Sequence, residues 1–208
     1  MGAVSLSASL TRAAEGALGE QLRHPTVVGI GRGDLAQDAF RAWLEQDYLF
    51  LLDYVRVFSR LAWQAPPAHL GDLVDLAHAT WHTELALHRT LAAQFEADLE
   101  GAVKNGPCTA YTKFLLDAAA DYGSGLAALL PCMWGYSEIG RRLAADPPSE
   151  PRYRQWVQAY ADPDFAALAA RCAAMLDEAA ADGAVPAERA KQLFAAGMAH
   201  ELAFWTVS

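Results

Sequence analysis

Three side chains capable of acid–base or nucleophilic chemistry interrupt apolar stripes of this sequence. The first is Asp47, within Phe40, Trp43, Leu44, Tyr48, Leu51, Tyr54, Val55 and Phe58. At helical spacing it shares a face with Trp43 and Leu51. A carboxylate there needs donors or a shifted pKa, because an unpaired buried charge is costly. It is either a structural acid or the anchor for a buried amino group. The second is Glu201, within Phe194, Gly197, Met198, Leu202 and Trp205. A glutamate among aromatic rings has its charged form disfavoured, which suits general acid–base work. The plain alternative is an exposed glutamate on a frayed last helix. The third is Cys132, in Leu129-Leu130-Pro131-Cys132-Met133-Trp134-Gly135-Tyr136. If Pro131 starts a helix, Cys132 lies in its first turn, where partial positive charge favours a thiolate. Tyr136 then stacks on the same face. The alternative is a small buried thiol used for packing.

Tyr111 and Tyr160 sit near predicted element ends. Singly they read as core; together with an acid and a thiol they suit a planar heteroaromatic ligand, which needs flat walls and directional hydrogen bonds. Two other signals are discounted. Gly29-Ile30-Gly31-Arg32-Gly33 lacks a phosphate loop's ending and a preceding strand, so it reads as a turn. His82, Glu84 and His88 share a helix, but two good ligands fall short of a metal set, and a Glu84–His88 hydrogen bond bracing the core is the expectation.

These residues must be positioned by helices. No run alternates with period two, and segments rich in Ala, Leu, Glu and Arg favour helix. Helices are predicted near 7–23, 35–64, 69–99, 108–121, 124–145, 151–160, 164–181 and 186–206, giving an all-α bundle. Asp34 with Gln37 resembles a capping box, and Pro186 suits a first helical position.

The chain has 208 residues, 53% hydrophobic, and reads as one domain over 1–208. Its 16 basic against 25 acidic residues, net charge −9, argue against nucleic acid and against an anionic membrane surface. The longest uncharged run, Tyr122–Ser137, is too short to span a bilayer. Cys108, Cys132 and Cys172 form no C-x-x-C, so neither a zinc site nor a disulfide framework is expected. No secretory signal is visible, and a reducing cytoplasmic setting is the simplest expectation.

Seven segments in order carry a resemblance. They are His24-Pro25 with Ile30–Gly33, Gln46–Phe50, Glu84–His88, Thr109–Thr112, Leu130–Gly140, Tyr153–Tyr160 and Glu201–Trp205. With these the chain resembles the thiaminase II (TenA) family, in its cysteine-containing branch. The resemblance implies a haem-oxygenase-like helical bundle without a cofactor or metal, assembled as a homotetramer. It implies hydrolysis of 4-amino-5-aminomethyl-2-methylpyrimidine to the 5-hydroxymethyl compound and ammonia, with slower cleavage of thiamin, in thiamin salvage. Carried over by position, Cys132 is the nucleophile that adds to the pyrimidine. Glu201 is the acid–base group, and Asp47 binds the ring's amino group and adjacent nitrogen. Tyr111, Tyr136 and Tyr160 line the pocket. Phe50 stands where many members have tyrosine; it can stack but brings no hydroxyl.

Two other readings compete. A metal or haem oxidase of the same bundle class would use His24 as axial ligand or Glu84 and His88 as part of an iron site. A non-catalytic pyrimidine-binding protein would need neither Cys132 nor Glu201.

Overall fold

A computed structural model describes residues 4–206, and these are helical throughout apart from short connections. The elements are α1 (Leu6–Ala13), α2 (Glu15–Arg23), α3 (Pro25–Arg32), α4 (Gln37–Gln64), α5 (Pro67–Ala79) and α6 (Leu85–Phe95). They continue with α7 (Gly106–Ala118), α8 (Tyr122–Leu143), α9 (Pro151–Tyr160), α10 (Pro163–Ala181) and α11 (Ala187–Phe204). Between α5 and α6 the backbone widens into a π-helical turn, Thr80–Glu84, so the two form one interrupted rod.

The all-α expectation holds, with local corrections. The predicted 7–23 helix is two helices that part at Ala14. Residues 29–32, expected as a turn, finish a short helix instead. Pro25 opens it at a position that needs no N–H, with His24 as the capping residue, and Gly33 closes it at φ 76°, a left-handed cap that favours glycine. Asp34 does not cap α4; Ala36 occupies that position without a side-chain bond. Pro186 is itself the cap of α11, one residue before the first helical position. Pro131 neither starts nor breaks a helix but lies inside α8.

α8 forms the spine. It is apolar on nearly every side, the pattern of a helix surrounded by others, and it packs against α4, α7, α9, α10 and α11. Glycine permits one of its closest approaches. A Cβ on Gly140 would lie 2.4 Å from the Tyr160 carbonyl carbon, so α8 and the end of α9 meet at backbone distance. Gly140→Ala should therefore destabilise the fold by about 1–3 kcal/mol. A lowered urea midpoint with an unchanged slope would register this.

An aromatic cluster ties the end of α11 to the rest. Trp205 stacks on Trp43 of α4 (5.5 Å between centroids, 7° between planes) and on Tyr136 of α8 (5.3 Å). Its indole N–H donates to Gln21 Oε1 (3.1 Å), and its carbonyl accepts from the Thr26 hydroxyl (3.0 Å). The last helix is thus anchored at its C-terminal end, and Glu201, one turn earlier, is 1% exposed rather than frayed.

Candidate functional site

Asp47, Phe50, Cys132, Tyr136 and Tyr160 line one small hollow between α4, α8 and α9. Leu51, Glu84, Met133 and Phe165 complete its wall. Its volume is about 10 Å³, room for one water molecule, so a flat ring enters only when lining side chains move. Glu84, Tyr160 and Phe165 also border a larger outer vestibule of about 420 Å³. Tyr111 and Glu201, expected in the lining, sit in the layer behind it, where Glu201 interacts with the Cys132 thiol.

α4 presents Asp47 inward because its apolar stripe faces the core, and the acid rides on that stripe at 3% exposure. His88 from α6 satisfies it. The His88 ring donates from Nδ1 to the Glu84 carbonyl oxygen (2.8 Å), which can only accept, and its Nε2 lies 2.7 Å from Asp47 Oδ2. Burial alone pushes the His88 pKa down, but the bond and charge of Asp47, with the carbonyl and carboxyl of Glu84, outweigh it and raise it. The imidazolium is therefore favoured, donating from both nitrogens. His88 thus bridges Asp47 and the Glu84 backbone, correcting the expected Glu84–His88 side-chain bond. With Oδ2 engaged, Oδ1 is the oxygen left for a ligand.

Cys132 lies mid-helix, 7% exposed. The first-turn thiolate suggested by Pro131 is not what the fold provides. Burial pushes the thiol pKa well up, the charges of Glu201, Glu84 and Asp47 push it further, and only the Tyr54 hydroxyl beside it pulls down. The sulfur rests as a neutral thiol that needs a base to become nucleophilic. In the resting protein the Tyr54 hydroxyl donates its one proton to the Leu129 carbonyl (2.9 Å). Sequence reading placed it only in the core stripe, since a tyrosine among apolar residues carries no separate signal.

Glu201 is the adjacent group. Burial raises its carboxyl to about 8, against hydrogen bonds from Tyr111 and Cys132 and with added repulsion from Asp47. The Tyr111 hydroxyl donates to Oε1 at 2.5 Å, and the Tyr111 ring stacks on His200 (5.2 Å) and packs against Phe50 (5.0 Å). Phe50 also packs on Tyr54 (5.2 Å) and Phe204 (5.4 Å), so it supplies a wall and no hydrogen bond. Tyr136 and Tyr160 meet at 5.0 Å, and Phe165 closes edge-on against Tyr160 at 5.2 Å.

The raised Glu201 pKa has a consequence for stability. Between its ordinary value of 4.5 and about 8, the folded chain holds a proton that the unfolded chain has lost. Its contribution is therefore complete below the ordinary value and disappears as pH climbs through about 8. Glu201→Gln needs no such proton. The wild-type melting temperature should fall by about 10 °C relative to that variant between about pH 5 and about pH 8.5 in paired thermal melts.

Of the metal alternatives, His88 has spent both nitrogens, His82 is exposed, and His24 caps α3, with its Nδ1 accepting from the Thr26 N–H (3.3 Å). Among the described residues no group of three or more His, Cys, Asp or Glu gathers to hold a metal ion.

Residues 12–208 match the TENA/THI-4/PQQC family. An aminopyrimidine aminohydrolase of Halalkalibacterium halodurans is 35% identical, covering 99% of this chain and 96% of that protein. The TenA homologue of P. horikoshii OT3 superposes with a TM-score of 0.88 at 27% identity, covering 97% of each chain. A TenA family transcription regulator from Silicibacter sp. TM1040 superposes with a TM-score of 0.87 at 28% identity, over 96% of this chain and 94% of its own. With the match spanning nearly the whole sequence, and the helical frame and aromatic-walled hollow already described, the chain belongs to the TENA/THI-4/PQQC family.

Proposed function

We propose that the chain is an aminopyrimidine aminohydrolase with thiaminase II activity. It converts 4-amino-5-aminomethyl-2-methylpyrimidine and water to the 5-hydroxymethyl compound and ammonia, and cleaves thiamin more slowly, in salvage of the pyrimidine. The name of the 35%-identical relative supports this reading. The observation that carries it is the convergence of Asp47 and Cys132 on one hollow walled by Phe50, Tyr136 and Tyr160, with Glu201 directly behind the Cys132 thiol.

The proposed chemistry follows from the resting protonation states. Asp47 accepts from the ring's amino group and, turned by His88, fixes the ring's orientation. The carboxylic acid of Glu201 gives its proton to a ring nitrogen, which makes the ring electrophilic. The Cys132 sulfur then adds to the unsubstituted ring carbon beside the one bearing the methylene. Only addition there leaves an electron pair able to expel the methylene's substituent. The thiol proton passes to Glu201, vacated a moment earlier. Water adds to the methylene and gives its proton to the departing amine; the sulfur then leaves with its bonding pair and takes a proton from Glu201, which recovers the one held by the ring nitrogen. A neutral thiol beside a neutral acid suits this order, since the acid protonates the ring first and the thiol gives up its proton only afterwards. Tyr111 holds Glu201 in place from behind.

An ammonia-release assay with the aminomethylpyrimidine tests the reading, with the 5-hydroxymethyl product as the expected outcome. Binding of the pyrimidine without ammonia would instead support a non-catalytic binding protein, a role that needs neither thiol nor acid. We further read residues 1–208 as one domain from its length, the setting as the cytoplasm from its unpatterned cysteines, and the assembly as a homotetramer following the family resemblance. Among the described residues no helix is long and apolar enough to cross a membrane. Sedimentation at the mass of four protomers is the expected result for the assembly.

A further inference from the structure

Glu84 is assigned no part in the chemistry above, yet among the described residues it is the one carboxyl that borders both the inner hollow and the outer vestibule. It closes the π-helical turn Thr80–Glu84, and such wide turns recur at functional sites. Its hydrogen bonding is sparse. The Thr80 hydroxyl donates to Oε1 at 3.2 Å, and among the described residues no lysine or arginine pairs with it. Burial raises its carboxyl to about 7, with the nearby His88 ring opposing the rise and repulsion from Asp47 adding to it. A carboxyl so placed gains most from a cation brought beside it.

The proposed substrate supplies one. Its aminomethyl group is a primary amine, protonated at neutral pH, and sits on the ring carbon next to the one carrying the amino group held by Asp47. Asp47 and Glu84 both line the inner hollow, so a ring anchored on the first presents its neighbouring substituent to the second. Beyond Glu84 the vestibule adds Asp162 and Asp164 on an otherwise mainly apolar wall, a surface suited to an organic cation. We propose that Glu84 receives the cationic group on the ring's methylene and directs it into the vestibule as it departs. In that step the carbon–nitrogen bond breaks with its electron pair on nitrogen, and water's oxygen replaces it on the methylene. Ammonia takes the proton that water gives up. The net change is R–CH2–NH3+ plus H2O to R–CH2–OH plus NH4+.

This inference rests on the functional reading above, and the test separates the two. In Glu84→Gln, kcat/KM for the aminomethylpyrimidine should fall by about 100-fold, the scale for removing one partner of a buried charge pair. The Kd of the neutral hydroxymethylpyrimidine should stay within about threefold, because that ligand presents no cation. Glu84→Asp, which keeps the charge, should restore part of the loss and carries the test if the glutamine variant fails to fold. Equal weakening for both ligands, or near-wild-type kcat/KM in Glu84→Gln, would overturn the assignment. If the wild-type chain binds both pyrimidines but releases no ammonia, the functional reading falls instead. The ratio of the two Kd values, in wild type against Glu84→Gln, then still decides the role of Glu84.

Discussion

Cys132→Ser should lower turnover of the aminomethylpyrimidine on the order of 10⁴-fold while leaving the fold intact. The size follows from the proposed chemistry. A hydroxyl is a weaker nucleophile than a thiol and is harder to deprotonate, and the site that already holds the thiol neutral penalises an alkoxide more. The exchange of sulfur for oxygen barely alters volume at a position 7% exposed, so stability should change by less than about 1.5 kcal/mol. Circular dichroism melts beside a steady-state ammonia assay separate the two effects. Binding of the hydroxymethyl product should survive, because Asp47 and the aromatic walls remain. A serine variant with near-full rate would remove the covalent step from the mechanism.

Glu201→Gln should cost about 10²–10⁴-fold in kcat, the range for losing a positioned acid–base group. The amide keeps the shape of the carboxyl and can still accept from the Tyr111 hydroxyl, so the loss isolates the proton itself. The pH profile gives a second, sharper signature. In the wild type the acid form acts first, so activity in the unliganded enzyme should decline as pH rises through about 8. That alkaline limb should vanish from the residual activity of the glutamine variant. Its persistence would assign the titration to another group, with Glu84 and His88 the nearest candidates.

The sequence carried the helical class and the polar residues that break apolar stripes, because both are local patterns. Asp47, Cys132 and Glu201 stand out for a single reason, that each is a reactive side chain at a position whose neighbours are apolar. Their nearness to one another is tertiary and could be anticipated only through the family resemblance. The error over Cys132 has a definite cause. A proline usually marks a helix start, but α8 is enclosed by five other helices, and their packing outweighs one missing backbone bond. Glu84 escaped notice as a pocket residue because its spacing to His88 reads as an ordinary helical pair. The wide turn that re-aims it has no sequence signature. Tyr111 and Glu201 were expected in the lining and lie behind it, a distinction of a few ångströms that periodicity does not resolve.

The wide turn also constrains anyone who would engineer this protein. Tightening Thr80–Glu84 into plain α-helix with all its residues kept would wind the rod from Pro67 to Phe95 further, a change that conventional stabilising design would favour. Each α-helical residue turns the chain by about 100°. The further-wound rod would rotate His88 away from Asp47 and strand that acid without its donor, so a more regular scaffold would come with a misaligned anchor.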